Sequence, residues 1–372
     1  MIPLSIPDIR GPVSKNLNKV IKSNWVSSAG PEIELFEKSV AKYINRKYAI
    51  ATSSGSSALF LSLFSCGVKP GDKVLVPDYT FSATVNAVII YGAEPVFVDV
   101  CQSNWTIDID LVETAIKKFK PSAVIAVDTL GHPFHKDDLV KICKVRNIPL
   151  IEDSAGALGS LYKNIYCGSL SDIGIFSFNG NKIITAGSGG MMLTNNKAYA
   201  QNAIKYLSQY RKKASYEYEG VGFNFKMANV NASIGLTQMP YLSDIIRKKK
   251  LIAKRYDNYF LNRDDVLIMP REEGTDSSCW LYSIRLSNIK SAASLIKHFF
   301  KLKIESRLFW SGLSKQAPYQ SFNKVLSGVS ADLSGTVISL PCSSSLSYKD
   351  QMIVINALSS WRGNKIKYIN VS

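Results

Sequence analysis

From about residue 40 to 195, short apolar runs alternate with stretches of helical character. The runs "KVLVP" (73–77), "EPVFVDV" (94–100), "AVIAVD" (123–128), "PLIED" (149–153), "IGIFSF" (173–178) and "GMMLTN" (190–195) predict strands. They are rich in Val, Ile and Phe, and Gly, Pro or Asp bounds many of them. Between them, "SSALFLSLFSCG" (56–67), "DLVETAIKKF" (110–119) and "KDDLVKICKVRN" (136–147) predict helices. Strands that are apolar throughout are buried on both faces, so the pattern predicts an α/β unit with a mostly parallel central sheet. After residue 228 a long helical pattern runs on to about 261 and contains Pro240, where a break is expected. The remainder mixes short strands ("WLYSIRL", 280–286; "VISLP", 337–341) with a helix ("SAASLIKHFFKL", 291–302). It predicts a smaller α+β domain over 241–372 behind a large domain over 1–240.

Composition narrows the class. Of 372 residues, 46% are hydrophobic and 20% charged, as in an ordinary soluble enzyme. No apolar run is long enough to span a bilayer. The opening "MIPLSIPDIRG" lacks the charged and apolar regions of a secretory signal. The six cysteines are scattered without a C-x-x-C pair, so a reduced, cytoplasmic protein without a zinc site is expected. The net charge of +16 would suit an acidic partner, but the basic residues are spread out. The densest runs, "RKKK" (247–250) and "RKK" (211–213), carry no interleaved aromatics, so solvated helix faces are expected rather than nucleic-acid binding.

Several predicted strands end in polar residues: Asp99, Asp128, Asp153 and Ser177. Carboxyl ends of parallel strands are where ligands bind in such sheets. Three stretches carry candidate chemistry. "TSSGSSAL" (52–59) sets a strand end against a helix start, where free amides at the positive end of the dipole can cradle a phosphate or where a serine simply caps the helix. It has neither a P-loop nor a dinucleotide fingerprint. "IEDSAG" (151–156) ends an apolar strand on Asp153, a carboxylate that needs a cationic partner or a structural hydrogen bond. The three histidines show no ligand spacing with it, so a metal is not expected. "SFNGNKIITAGSGG" (177–190) places Lys182 five residues after a strand end and before a run of glycines that permits close backbone approach. It is either an exposed loop lysine or an amine in a dry pocket, able to attack carbonyls. Taken together, a phosphate cradle, a strand-end carboxylate and a restricted lysine are what pyridoxal phosphate (PLP) requires.

Most of the chain resembles the DegT/DnrJ/EryC1/StrS sugar aminotransferases, a family of fold-type I PLP-dependent transferases. The resemblance is carried by "NWVSSAGPEIELFEKSVAKYI" (24–44), "TSSGSSAL", "VPDYTFSATVNAVIIYGAEPVFVDV" (76–100), "IEDSAGALGS" (151–160), "DIGIFSFNGNKIITAGSGGMMLTN" (172–195) and "GFNFKMANVNASIGLTQM" (222–239). It implies that Lys182 forms the Schiff base and moves the proton, and that Asp153 partners the pyridinium nitrogen. Phe81 would stack on the ring, and Ser56, Ser57 and Ser177 would hold the phosphate. Asn224 would reach the phosphate from a neighbouring protomer, which implies a homodimer with shared sites. Lys226 and Arg307 are candidates for the substrate's pyrophosphate.

The implied reaction takes an amino group from L-glutamate, leaving 2-oxoglutarate and the pyridoxamine phosphate form, and passes it to a nucleotide-linked keto sugar. The "SFNGNK" form most resembles members acting at C4 of UDP-linked 4-keto-6-deoxy sugars; GDP- and dTDP-linked sugars and C3 ketones stay open. Two positions depart from the family pattern. Gly156 stands where relatives carry Gln, His or Glu, and Ser188 where many carry an acid. Gly156 also opens the alternative of a PLP-binding regulatory relative without turnover. The retained lysine counts against the family's dehydratases, which carry histidine there.

Overall fold

The computed structural model describes residues 1–212 and 215–361; Lys213 of the basic run and residues 362–372 of the expected small domain lie outside the described residues. After α1 (Val13–Lys22) and α2 (Pro31–Ile44), the chain alternates β1 (Tyr48–Thr52), α3 (Gly55–Ser65), β2 (Lys73–Pro77), α4 (Ser82–Tyr91), β3 (Glu94–Val98), α5 (Ile109–Phe119), β4 (Ala123–Val127), α6 (Lys136–Val145) and β5 (Leu150–Asp153). A short hairpin, β6 (Leu161–Tyr162) and β7 (Ile165–Tyr166), precedes β8 (Ile173–Ser177), β9 (Gly190–Thr194) and α7 (Lys197–Leu207). The helical pattern after residue 228 resolves into α8 (Asn229–Gln238), a 3-10 turn over Met239–Tyr241, and α9 (Leu242–Phe260). The break falls at Pro240 because proline has no N–H to continue the helix. Beyond it lie β10 (Val266–Ile268), β11 (Thr275–Asp276), β12 (Tyr282–Leu286), α10 (Ile289–Lys301), β13 (Arg307–Leu308), β14 (Lys324–Val325), α11 (Val329–Leu333), β15 (Val337–Leu340) and α12 (Tyr348–Ser360).

The large sheet has eight strands in the order β1-β9-β8-β5-β4-β2-β3-β14. The pairs from β8 through β5, β4, β2 and β3 to β14 are parallel, and β9 alone runs against its neighbours β1 and β8. The central strands are buried along nearly their whole length, which is why their sequences are continuous apolar runs rather than alternating ones. Strand order reverses between β2 and β4, and a crevice at such a switch point is where a ligand is held. A second sheet, β10-β12-β15-β13, is built from the C-terminal part. Its residues Tyr282, Ile284 and Ile338 share one apolar cluster with Phe36, Phe176 and Met191 of the N-terminal part. Among the described residues, no helix is long and apolar enough to cross a membrane.

Two of the strand-end aspartates serve the architecture. β3 stops at Val98, one residue before Asp99, because the Asp99 carboxylate takes up four amides: Val100 (2.9 Å), Ser327 (2.9 Å), Gly328 (2.7 Å) and Ser330 (2.8 Å). Asp78, one residue past β2, accepts from the Ser314 amide (2.7 Å) and the Ser330 hydroxyl (2.5 Å). These bonds tie the segment 313–330 to the edge of the large sheet, where β14 pairs with β3.

Asp128, just past β4, enters a buried cluster. Lys136, at the start of α6 and fully buried, bonds Asp128 at 2.9 Å and also pairs with Glu152 of β5. Glu152 further accepts the Gly168 amide (2.6 Å) and the Ser171 hydroxyl (3.0 Å), and Ser154 donates to Asp128 at 2.6 Å. Burial disfavours the Lys136 ammonium, but its carboxylate partners outweigh burial and raise its pKa. Asp128, Glu152 and Cys167 have ligand atoms close enough for a metal, yet Lys136 already bonds both carboxylates. Replacing Lys136 with methionine leaves two buried carboxylates unpaired and is expected to cost about 3–5 kcal/mol of stability. Urea unfolding of the apo protein measures this; an unchanged midpoint would show the cluster to be dispensable.

Candidate active site

Polar side chains from four chain segments converge on a cleft of about 210 Å3 at the carboxyl edge of the large sheet. Ser54, Gly55 and Ser56 open α3; Thr80, Phe81 and Thr84 follow β2; Asp153 and Gly156 follow β5; Ser177, Asn179 and Lys182 follow β8. Trp280 and Trp310 close it from the C-terminal part.

Lys182 lines this cleft and is half-buried rather than exposed on a loop. Burial pulls its pKa down to about 8, and the attraction of Asp153 offsets only part of that. Its Nζ lies 3.5 Å from the centroid of the Trp280 ring. A cation–π contact favours the charged amine by roughly 0.5–2 kcal/mol, whereas desolvation lowers its pKa from 10.5 to about 8, so desolvation wins. Lys182 therefore has a larger neutral fraction near neutral pH than an ordinary lysine. The rate at which the apo protein captures PLP should therefore rise with pH and level off above about 8. A rate followed by absorbance that keeps climbing towards pH 10 would show an ordinary, solvated lysine.

Asp153 ends β5 and is buried. Its Oδ2 accepts from the Thr84 hydroxyl (2.8 Å) and its Oδ1 from the Ala155 amide (3.2 Å). Burial raises its pKa, opposed by these bonds and by Lys182. Among the described residues no cation forms an ion pair with Asp153 or takes an ionic partner at Lys182. A buried carboxylate and a half-buried, desolvated amine thus face one cleft without contacting countercharges, and a ligand bearing a protonated ring nitrogen and an aldehyde would complete both.

The head of α3 is shaped by serines. The Ser54 hydroxyl caps the helix by accepting the Ser57 amide at 3.0 Å. The Ser57 hydroxyl is turned to Ser53 (3.0 Å) and Ser54 (2.9 Å), so Ser57 stands behind the cradle while Ser56 lines it. The two readings of this stretch, cap and cradle, therefore coexist on different residues. Gly190 allows β9 to pass close behind: a Cβ there would meet the Ser54 carbonyl oxygen at 2.3 Å. Ser188 donates to the Ser53 carbonyl at 2.8 Å and holds the glycine loop to the same helix end.

Phe81 lines the cleft and is 59% exposed at its mouth. Asn224 and Lys226 are exposed and stand outside the cleft's lining. Arg307 is exposed on β13, pairs with Glu305 at 2.8 Å, and is likewise outside the lining. The place left by Gly156 is filled by Trp280, since a Cβ on Gly156 would lie 2.2 Å from Trp280 Cε3. Trp280, Trp310 and Thr84 are site residues that sequence reasoning missed. The bare Gly156 was the one signal that something bulky had to come from elsewhere.

The family model "DegT/DnrJ/EryC1/StrS aminotransferase family" matches residues 7–359. The chain is 33% identical over 367 residues to the "Putative pyridoxal phosphate-dependent aminotransferase EpsN" of Bacillus subtilis, covering 96% of this chain and 95% of the relative. It is 32% identical over 368 residues to the GDP-perosamine synthase of Escherichia coli O157:H7, covering 98% and 99%. Among solved structures, the pyridoxamine phosphate form of a putative sugar aminotransferase, Spr1654 of Streptococcus pneumoniae, superposes with a TM-score of 0.90 at 25% identity, covering 96% and 98%.

Proposed function

Because the chain belongs to the DegT/DnrJ/EryC1/StrS aminotransferase family, and is thus a PLP-dependent sugar aminotransferase, we propose that it converts a nucleotide-linked 4-keto-6-deoxy sugar to the 4-amino sugar with L-glutamate as donor. One observation carries the assignment of residues: the desolvated Lys182 amine and the buried Asp153 carboxylate share one cleft without contacting countercharges. Bound in that cleft, PLP supplies an electron-withdrawing ring that accepts the electron pair released at the carbon next to the transferred nitrogen. Asp153 keeps the ring nitrogen protonated. Lys182 would hold the coenzyme through its aldehyde carbon and would carry a proton between that carbon and the substrate carbon that bears the transferred nitrogen. The free amides at the head of α3, with Ser56 and Ser177, hold the phosphate, and Phe81 covers a face of the ring.

The finer parts of the proposal have separate supports. A pyrophosphate-bearing substrate suits the chain's basic surplus. The "SFNGNK" form favours UDP as the nucleotide, whereas the E. coli relative bears the name GDP-perosamine synthase. The exposed Asn224 would reach the phosphate in the cleft of a second copy, and Lys226 and Arg307 are the candidate contacts to the substrate's pyrophosphate. Incubating holoenzyme and L-glutamate with UDP-, GDP- and dTDP-linked 4-keto and 3-keto sugars, read by product mass and 2-oxoglutarate, tests it. An amino sugar from a 4-keto substrate is the expected product. Exclusive use of a 3-keto substrate, or no amino sugar from the whole panel, would overturn the reading.

A further inference from the structure

We propose that Trp280 is a positioning residue for Lys182: its indole, seated in the space that the missing side chain at Gly156 leaves, walls the amine into the cleft and fixes where it points. Four observations carry this. The indole face lies 3.5 Å, centroid to Nζ, from Lys182. Its Nε1–H donates to the Asn181 carbonyl at 2.8 Å, so the ring is pinned to the residue next to the lysine it covers. Gly156 has room for nothing larger, because a Cβ would overlap the indole at 2.2 Å from Cε3 and 2.8 Å from Cζ3. Gly156 shows no left-handed φ, so its bareness answers to Trp280 and not to a backbone demand.

The segment that delivers Trp280 is itself held firmly. The Ser277 hydroxyl donates to the Gly131 carbonyl at 2.8 Å. The Ser278 amide donates to the Ser160 hydroxyl at 2.9 Å, and Ser160 in turn bonds Gly131 at 2.7 Å. Trp280 is 7% exposed. A side chain fixed on both its backbone and its ring atoms, with its flat face turned to a reactive amine, controls that amine's rotamer and its access to water. Asp153 is the charged group that acts on Lys182. Gly156 and Trp280 are therefore a matched pair, in which a residue supplied from 124 positions further along the chain takes the place of a local side chain.

The inference rests on the proposed role of Lys182, and its test uses apo protein and PLP alone, with no sugar. The rate of covalent PLP capture is followed by absorbance against pH for the unaltered protein, W280A, W280F, G156A and the double variant G156A/W280A, with melting temperatures recorded. W280A admits water to the amine, so its midpoint should move up by at least about one pH unit, slowing capture at pH 7 about tenfold. W280F keeps a covering ring and should recover most of that shift. G156A displaces the indole and should resemble W280A, yet it should add nothing in the W280A background, where no indole remains to displace. If W280A does not fold, G156A and W280F carry the comparison. Unchanged midpoints in W280A and G156A, or effects that multiply in the double variant, would overturn the role of Trp280 while leaving Lys182 in place. Absence of capture by the unaltered protein would overturn both.

Discussion

Replacing Lys182 with alanine is expected to lower amino transfer by about 10^4-fold or more, the combined loss of a nucleophile and of a positioned acid–base group. The same change should leave the fold intact. Lys182 makes no ion pair among the described residues and desolvation disfavours its own charge, so removing it gives up only the contact with Trp280 and the attraction to Asp153. The variant should still bind PLP, because the head of α3, Ser177 and Asp153 are untouched, but without the spectral signature of a covalent link. Single-turnover kinetics with L-glutamate and a melting curve separate the two effects. A lysine of merely structural importance would give the opposite pattern, with lost stability and retained turnover.

Asp153→Asn is expected to cost roughly 10^2–10^3 in turnover, as when a charge-stabilising group is removed from a dry site. Its effect on the apo protein should have the opposite sign. Burial raises the Asp153 pKa above its ordinary value of 3.8, so folding favours the protonated acid. The cost of the buried charge is absent below about pH 3.8 and grows as pH rises through the folded pKa. Asparagine carries no charge and can still accept one of the bonds given by Thr84 and Ala155. Melting temperatures of the apo variant should therefore match the unaltered protein in acid and equal or exceed it at neutral pH. A variant that is less stable at neutral pH but fully active would show Asp153 to be a structural acceptor.

Much of the fold was legible because β2, β4, β5, β8 and β9 are buried on both faces and their sequences say so. The boundaries that moved are instructive. Asp99 and Asp128 lie just beyond their strands, because their carboxylates reach away from the ladder to the 327–330 amides and to Lys136. Nothing local to either residue names those partners. The mixed character of β9 was equally hidden: a run such as "GMMLT" reads as a buried strand whichever way it points.

The candidate site divides along the same line. Lys182, Asp153, Phe81, Ser56 and Ser177 announce themselves because each sits in a short motif at a strand or helix end, and the cleft brings them together. Ser57 belongs to the same motif, but its hydroxyl closes onto Ser53 and Ser54, a choice of rotamer that spacing does not encode. Trp280 could not be read at all, since its contact with Lys182 and Gly156 exists only after the C-terminal part has packed on the sheet. The match of nearly the whole chain to an aminotransferase family is what counts against the protein without turnover that Gly156 suggested; Trp280 fills the space.

The central claim is that Lys182 is the residue bound to the coenzyme. Holoenzyme treated with borohydride, digested and mapped by mass spectrometry tests it most directly. The account predicts a single pyridoxyl tag on the peptide that contains Lys182, and its disappearance after incubation with L-glutamate before reduction. A tag on any other lysine, or a tag that glutamate leaves untouched, would contradict it.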